Sequence, residues 1–206
     1  IQTNIDNIIN ILRDKLFLNE IFEMTEKGMV AMQLQEVHCL ALADLYMMYN
    51  RFNDFDETQL AQIFSCFTNI SIQDDMKLQY PNCKDNVVRV SVSNLTTLMD
   101  KYYDLECDNG LDTGTNYSLH YEIIDYVKLW CEADDEVKCR NVIIKMKEEK
   151  EIFLGEFIKG ILKINNIAAE FEKICEMTEN IALLQRVKKI PEITLKYVAT
   201  NQSLYI

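Results

Sequence analysis

The stretch Gly155-Glu156-Phe157-Ile158-Lys159-Gly160-Ile161-Leu162-Lys163 holds two of the chain's five glycines, spaced as in a phosphate-binding loop, G-x-x-x-x-G. A nucleotide loop follows a β-strand, and its second glycine is followed by Lys and then Ser or Thr to hold phosphates and Mg²⁺. Here Ile161-Leu162 follow, and no strand pattern stands before. Helical periodicity fits instead. Phe157, Ile161, Ile164, Ala168, Phe171 and Cys175 recur as one apolar stripe. The spacing predicts a long helix over roughly 155–177, with Gly155 near its start and Gly160 where another backbone comes close. On the other side fall Lys159, Lys163, Asn166, Glu170 and Lys173. Periodicity alone makes these a solvated face. The functional alternative is a row of donors meeting a ligand that threads past the helix.

The rest of the chain reads the same way. Residues 1–24 are apolar and helix-like up to a break at Thr25-Glu26-Lys27-Gly28, and 35–49 is spaced as a helix. Asp56 followed by Gln59 has the form of a capping box and opens a helix through Phe67. Residues 69–87, with Pro81, are polar and read as a connection. Val88–Val92 alternates like a short strand, and 94–106 is helical. A turn at 107–116 holds Gly110 and Gly114; Ser118 is placed to cap a helix over 119–132, and another covers 134–150. Pro191 is read as introducing a last helix. With only five Gly and two Pro in 206 residues, the fold class is all-α, a helical bundle of eight or so helices around one long central helix.

Composition narrows the function. The balance of 49 % hydrophobic and 26 % charged residues is globular. The chain opens on Ile1, with neither an initiator Met nor a signal peptide, and so reads as a piece of a larger protein. No apolar run reaches the roughly 18 residues of a membrane span, so no membrane partner is expected. Seven scattered cysteines without a CxxC pair point to an intracellular, reducing compartment. The net charge of −12 argues against non-specific binding to duplex nucleic acid. Between Phe153 and Thr200, however, seven basic residues outnumber six acidic ones, so this is the one region to search for a nucleic-acid contact.

Catalytic and metal patterns are weak. Asp104–Gly110 resembles a calcium loop, but its glycine falls one place late and Thr115 stands where the bidentate Glu belongs. Glu132, Asp134, Asp135 and Glu136 suit a helix start. His38 and His120 are too few for zinc, and neither has ligands at the required spacing. Cys39 adjoins His38, which leaves a Cys–His nucleophile open on residue types alone. The sequence offers no convincing catalytic site, no metal site and no cofactor site.

Three separated stretches, in order, resemble the C-terminal helical (DSHCT-type) domain of exosome-associated, superkiller-type DExH RNA helicases. The first begins Thr25-Glu26-Lys27-Gly28-Met29-Val30-Ala31. It continues through Phe52-Asn53-Asp54-Phe55 and Gln59-Leu60-Ala61-Gln62-Ile63-Phe64-Ser65-Cys66-Phe67. It is similar to the family's "GRVA", "FNDL" and "LLSCF" segments. The second, Asp125-Tyr126-Val127-Lys128-Leu129-Trp130-Cys131, is similar to the family's "VVYAWC" helix. The third runs from Gly155 through Ile158, Lys159 and Lys163 to the terminal Ser203-Leu204-Tyr205-Ile206. Residues 69–117 match poorly, and Met29 stands where the family has Arg.

The resemblance implies that residues 1–24 end a winged-helix or connecting segment and that 25–206 form the helicase's C-terminal helical domain. ATP and Mg then belong to motor domains elsewhere in the polypeptide; this chain holds neither and is inactive alone. The expected partners are single-stranded RNA, the motor and winged-helix domains of the same polypeptide, and RNA-decay or transcription proteins. The expected location is the nucleus, the cytoplasm or a viral factory. Asn, Ile and Lys enrichment points to an AT-rich genome, viral or protist. By the family pattern the long helix crosses the channel and touches the threaded strand through Lys159, Lys163 and Asn166. The family has arginines at both basic positions and usually an acid at the third. Lysine keeps the charge but lacks the planar fork that suits bidentate phosphate contact. The alternatives are a non-enzymatic α-helical scaffold for protein partners and a DNA helicase fragment of the same architecture. On the helicase reading, the 206-residue chain alone binds single-stranded RNA weakly and with strong salt dependence. Fluorescence anisotropy of a labelled oligouridine over a salt series checks this, and tight, salt-resistant binding would count against it.

Overall fold

The computed structural model describes residues 2–197, so the terminal Ser203–Ile206 that contributed to the resemblance lies outside the described residues. Within them the chain is all-helical, with nine α-helices and no strand beyond one isolated antiparallel bridge, Leu18 to Met24. The helices are α1 (Gln2–Asp14), α2 (Glu26–Gln33), α3 (Cys39–Met48), α4 (Glu57–Ser65), α5 (Asn86–Asp108), α6 (Ile124–Glu132), α7 (Glu136–Lys150), α8 (Leu154–Thr178) and α9 (Ile181–Thr194).

The stretch that opened the sequence analysis lies in α8, the longest helix at 25 residues. Its buried positions include Phe157, Ile161, Ile164, Ala168, Phe171 and Cys175, the stripe that periodicity marked. Ile167 and Ile174 widen that stripe until α8 packs on α2, α4 and α9 together. Phe171 stacks on Phe64 of α4, with ring centroids 5.3 Å apart and 11° between planes. Phe52 meets the same ring at 5.2 Å and Tyr46 at 5.9 Å. At the other end Phe157 sits edge-on to Trp130 of α6 at 5.4 Å. The Trp130 indole N–H donates to the Thr194 carbonyl at 2.8 Å, and Asn165 donates to the Thr194 hydroxyl at 2.9 Å. Buried aromatic surface and satisfied polar tips thus join α6, α8 and α9.

Phe52 reaches the cluster through a left-handed turn. Asn50, Arg51 and Phe52 have φ of 53°, 53° and 61°, a conformation that costs a non-glycine residue on the order of 1 kcal/mol. Arg51 binds Glu26 through Nε and Nη2 at 2.6 and 2.9 Å, and Asn180 donates to the Arg51 carbonyl at 3.2 Å. These contacts and the burial of Phe52 offset the strain.

Several helix boundaries depart from the sequence expectation. Val88–Val92 is helical, not a strand. Asp85 caps α5 by accepting from Val87 and Val88 N–H at 2.9 and 3.1 Å, and Val88, Val92, Leu95 and Met99 are buried along one helical face. Three valines in five residues imitate alternation, but burial on a 3.6-residue period decides. Ser118 caps nothing. Residues 119–123 are extended, with His120 N–H donating to the Cys66 carbonyl at 2.8 Å, and α6 begins at Ile124. Pro191 lies inside α9, which starts at Ile181 behind the Asn180 cap. Its fixed φ suits the last turn, and burial of Leu183, Val187 and Ile190 holds the helix together despite the missing N–H. The Asp56–Gln59 capping box forms as read, with bonds of 2.7 and 3.0 Å.

Two glycines pack closely. A Cβ on Gly28 would stand 2.2 Å from the carbonyl oxygen of Phe17, because Thr25 pins the start of α2 to that backbone. At Gly160 the close neighbour is a side chain and not the backbone expected: a Cβ would meet Ile123 Cδ1 at 2.8 Å. Gly28→Ala is therefore expected to destabilise the fold by about 1–3 kcal/mol despite the gain in helix propensity, and Gly160→Ala by clearly less, since Ile123 can rotate. Urea unfolding of the two variants checks the order.

Candidate nucleic-acid interface

With α2, α4 and α9 packed on it, α8 shows solvent one narrow strip. Gly155, Lys159, Leu162, Asn166, Ala169 and Lys173 are exposed along it, and Ile158 and Lys163 are half-buried. The turn after α4 runs beside the strip. Phe67, Thr68 and Asn69 form one wall of a shallow groove, and Gly155, Ile158, Lys159, Leu162, Lys163 and Asn166 form the other. All three residues named from sequence therefore line one open groove. The Thr68 hydroxyl at its edge is buried without a hydrogen-bond partner.

The cations of the groove are not equally available. The Lys159 ammonium lies 3.5 Å from Glu156, whose carboxylate also accepts from Ser71 N–H at 2.8 Å. Lys163 makes a closer pair, 2.9 Å, with Glu36 from the α2–α3 connection. Glu170, on the same polar side of α8, is taken out of any ligand-facing row. It accepts the backbone N–H groups of Gln35 and Glu36 at 2.6 and 2.8 Å. Sequence reasoning missed Leu162, the Phe67–Asn69 wall and Glu36. Leu162 was visible as an apolar residue interrupting a polar face; the other two come from distant chain segments, which periodicity does not connect.

The remaining candidate chemistry dissolves into structure. Asp104, Glu106 and Asp108 lie inside α5, so no calcium loop exists there. Asp135 caps α7 by accepting from Lys138 N–H at 2.8 Å, as acids at a helix start should. Among the described residues no group of three or more His, Cys, Asp or Glu is arranged to hold a metal ion, and no helix is long and apolar enough to cross a membrane. The Cys39–His38 pair is not an activated nucleophile. Burial pushes the Cys39 thiol above its ordinary range, which keeps it protonated. His38 Nδ1 accepts from Ala41 N–H at 3.1 Å as the N-cap of α3, and the ring sits between Tyr102 and Tyr117.

This geometry now meets a family. The profile of the DSHCT (NUC185) domain matches residues 22–195, and the chain belongs to that family. The domain is one found in superkiller-type helicases, so the chain is a helicase-associated domain. The match runs through residues 69–117, the part least similar by eye. It gives no support to a viral or protist origin. No individual curated protein matches the chain.

The capping role of His38 has a pH consequence. Burial holds its imidazole below the ordinary pKa, against a smaller opposing effect of Glu106. The unfolded chain then takes up the proton first, near pH ~6.5. The stability from neutral His38 is complete above that value and is lost as pH falls through it toward the folded pKa. His120 is also lowered by burial and acts with the same sign. His38→Asn keeps a capping acceptor without the titration. It is expected to flatten the fall in stability between about pH 6.5 and 5, read by urea midpoints at each pH.

Proposed function

We propose that this domain completes the ring around the motor domains of a superfamily-two ATP-dependent RNA helicase and touches the single strand threaded through it. The contact is made by Lys159, Lys163 and Asn166. The observation that carries this reading is their convergence on one open groove, on the one strip of α8 that packing leaves free. Two ammonium groups one helical turn apart suit successive phosphates. Asn166 adds an amide that can donate or accept, and exposed Leu162 lies between them as an apolar surface for a base or sugar.

The strand is held chiefly by the motor domains, where ATP and Mg act, and this domain adds a few contacts. A long helix buried on three sides is rigid, so donors fixed along it restrain the direction in which a strand slips between ATP cycles. Nothing in the groove requires a 2′-hydroxyl, so the ribose is read elsewhere in the protein if it is read at all.

Joint replacement of Lys159 and Lys163 by Ala tests the reading. In this chain, oligouridine affinity is expected to fall several-fold. The slope of log affinity against log salt becomes shallower by about 1.4, the loss of two single-strand phosphate contacts. In the intact helicase, RNA-stimulated ATPase and unwinding fall with it. Unchanged salt slope and unwinding would remove these residues from the strand path.

A further inference from the structure

We infer that Glu36 sets how strongly the α8 groove holds a strand, by occupying the Lys163 ammonium where a phosphate oxygen would bind. This rests on the reading of the groove as strand-contacting and adds to it a residue from outside the helix.

Three features lead to it. Lys163 Nζ and Glu36 Oε2 are 2.9 Å apart, and both side chains are partly open to solvent, at 26 % and 37 % of their surface. Glu36 is also held in place by its own backbone. Glu170, two helical turns beyond Lys163 on α8, accepts the N–H of Gln35 and of Glu36 itself. Buried Leu34 anchors the same segment just before them. The arrangement is thus a relay, in which Glu170 fixes the Glu36 backbone and the Glu36 carboxylate fixes the Lys163 ammonium. Third, the neighbouring cation is less restrained. Lys159 lies 3.5 Å from Glu156, and that carboxylate is shared with Ser71 N–H.

Carboxylate and phosphate oxygens are alike as acceptors for an ammonium group. A phosphate arriving at Lys163 therefore has to displace Glu36, or stay beside it and bear the repulsion of a second anion. A partly exposed pair of this kind is weak. Glu36 is accordingly a competitor that a strand displaces and not a lock that excludes it. In the free domain Lys163 is neutralised and Lys159 is the first point of contact. Once a phosphate reaches Lys163, Glu36 favours its release.

The test uses this chain, a fluorescein-labelled oligouridine and anisotropy over a salt series, with thermal unfolding alongside. Glu36→Gln keeps the length and shape of the side chain and removes its charge. It is expected to raise affinity roughly two- to fivefold. It should also steepen the log–log salt slope by about 0.7, one further phosphate contact. The melting temperature should stay near the parent's, because Glu170 still holds the backbone. In a Lys163→Ala background the same substitution is expected to give little gain. A purely structural pair would instead lower the melting temperature and leave the salt slope where it was, which overturns the proposal. So does a gain that persists in full without Lys163, since repulsion alone would then explain it. If Lys163→Ala weakens binding while Glu36→Gln strengthens nothing, Glu36 is excluded and the groove stands. If no substitution at Lys159, Lys163 or Glu36 moves binding, the groove reading falls as well.

Discussion

The burial of α8 against three other helices is the constraint on which the structure depends. A helix in one contact keeps most of its circumference free, and its polar face can point in many directions. Here α2, α4 and α9 close around α8, and its surface is reduced to a strip about one side chain wide. Stacking of Phe171 on Phe64 and the edge contact of Phe157 with Trp130 fix the rotation of the helix at both ends. Turning it by one residue would move about 100° of arc, driving Lys159 into the core and Ile161 out. The position of Lys159, Lys163 and Asn166 is thus a consequence of the core. The side chains that place them are apolar ones distant from any ligand.

That constraint explains why so much was legible in the sequence. The apolar period of 155–177 fixes both faces of α8 at once, so reading the core also located the polar strip. The Asp56–Gln59 box and the Asp135 cap were readable because their bonds are local, between residues three apart. The errors share one cause. Val88–Val92 looks like a strand, Ser118 like a cap and Pro191 like a helix start when each is judged by its nearest neighbours. In the fold, burial against α3 and α4 makes the first helical, the Cys66 carbonyl keeps 119–123 extended, and the buried stripe of α9 carries the helix through Pro191. Local preference is a weak prior that tertiary contact overrides. The wall of Phe67–Asn69 and the acid Glu36 had no local sign at all, since each reaches the groove only through folding.

The charge of the chain takes on a different meaning in this light. A net −12 argues against a surface that attracts nucleic acid from a distance, and nothing in the fold gathers the basic residues into a large patch. Within about a Debye length of a phosphate, though, the local arrangement matters more than the total. Around the groove that arrangement is nearly neutral: Lys159 is balanced by Glu156, and Lys163 by Glu36. The neutrality is not incidental, because Glu36 is set in place by hydrogen bonds from its own backbone to Glu170.

A weak site is what a moving strand needs. A contact that binds every register of the strand equally well deepens each resting position, and each step must then climb out of a deeper well. Uniform tightness of that kind slows passage without directing it, in the same way that uniform binding of substrate and transition state fails to accelerate a reaction. Lysine suits the weak regime: its ammonium is a compact, strongly hydrated point charge without the fork that lets arginine grip a phosphate at two oxygens. A carboxylate competing for that ammonium lowers the depth further, while the helix beneath keeps the donors rigidly spaced. Rigidity and weakness are therefore complementary here. Packing on three sides supplies the first, and Glu36, held by Glu170, supplies much of the second.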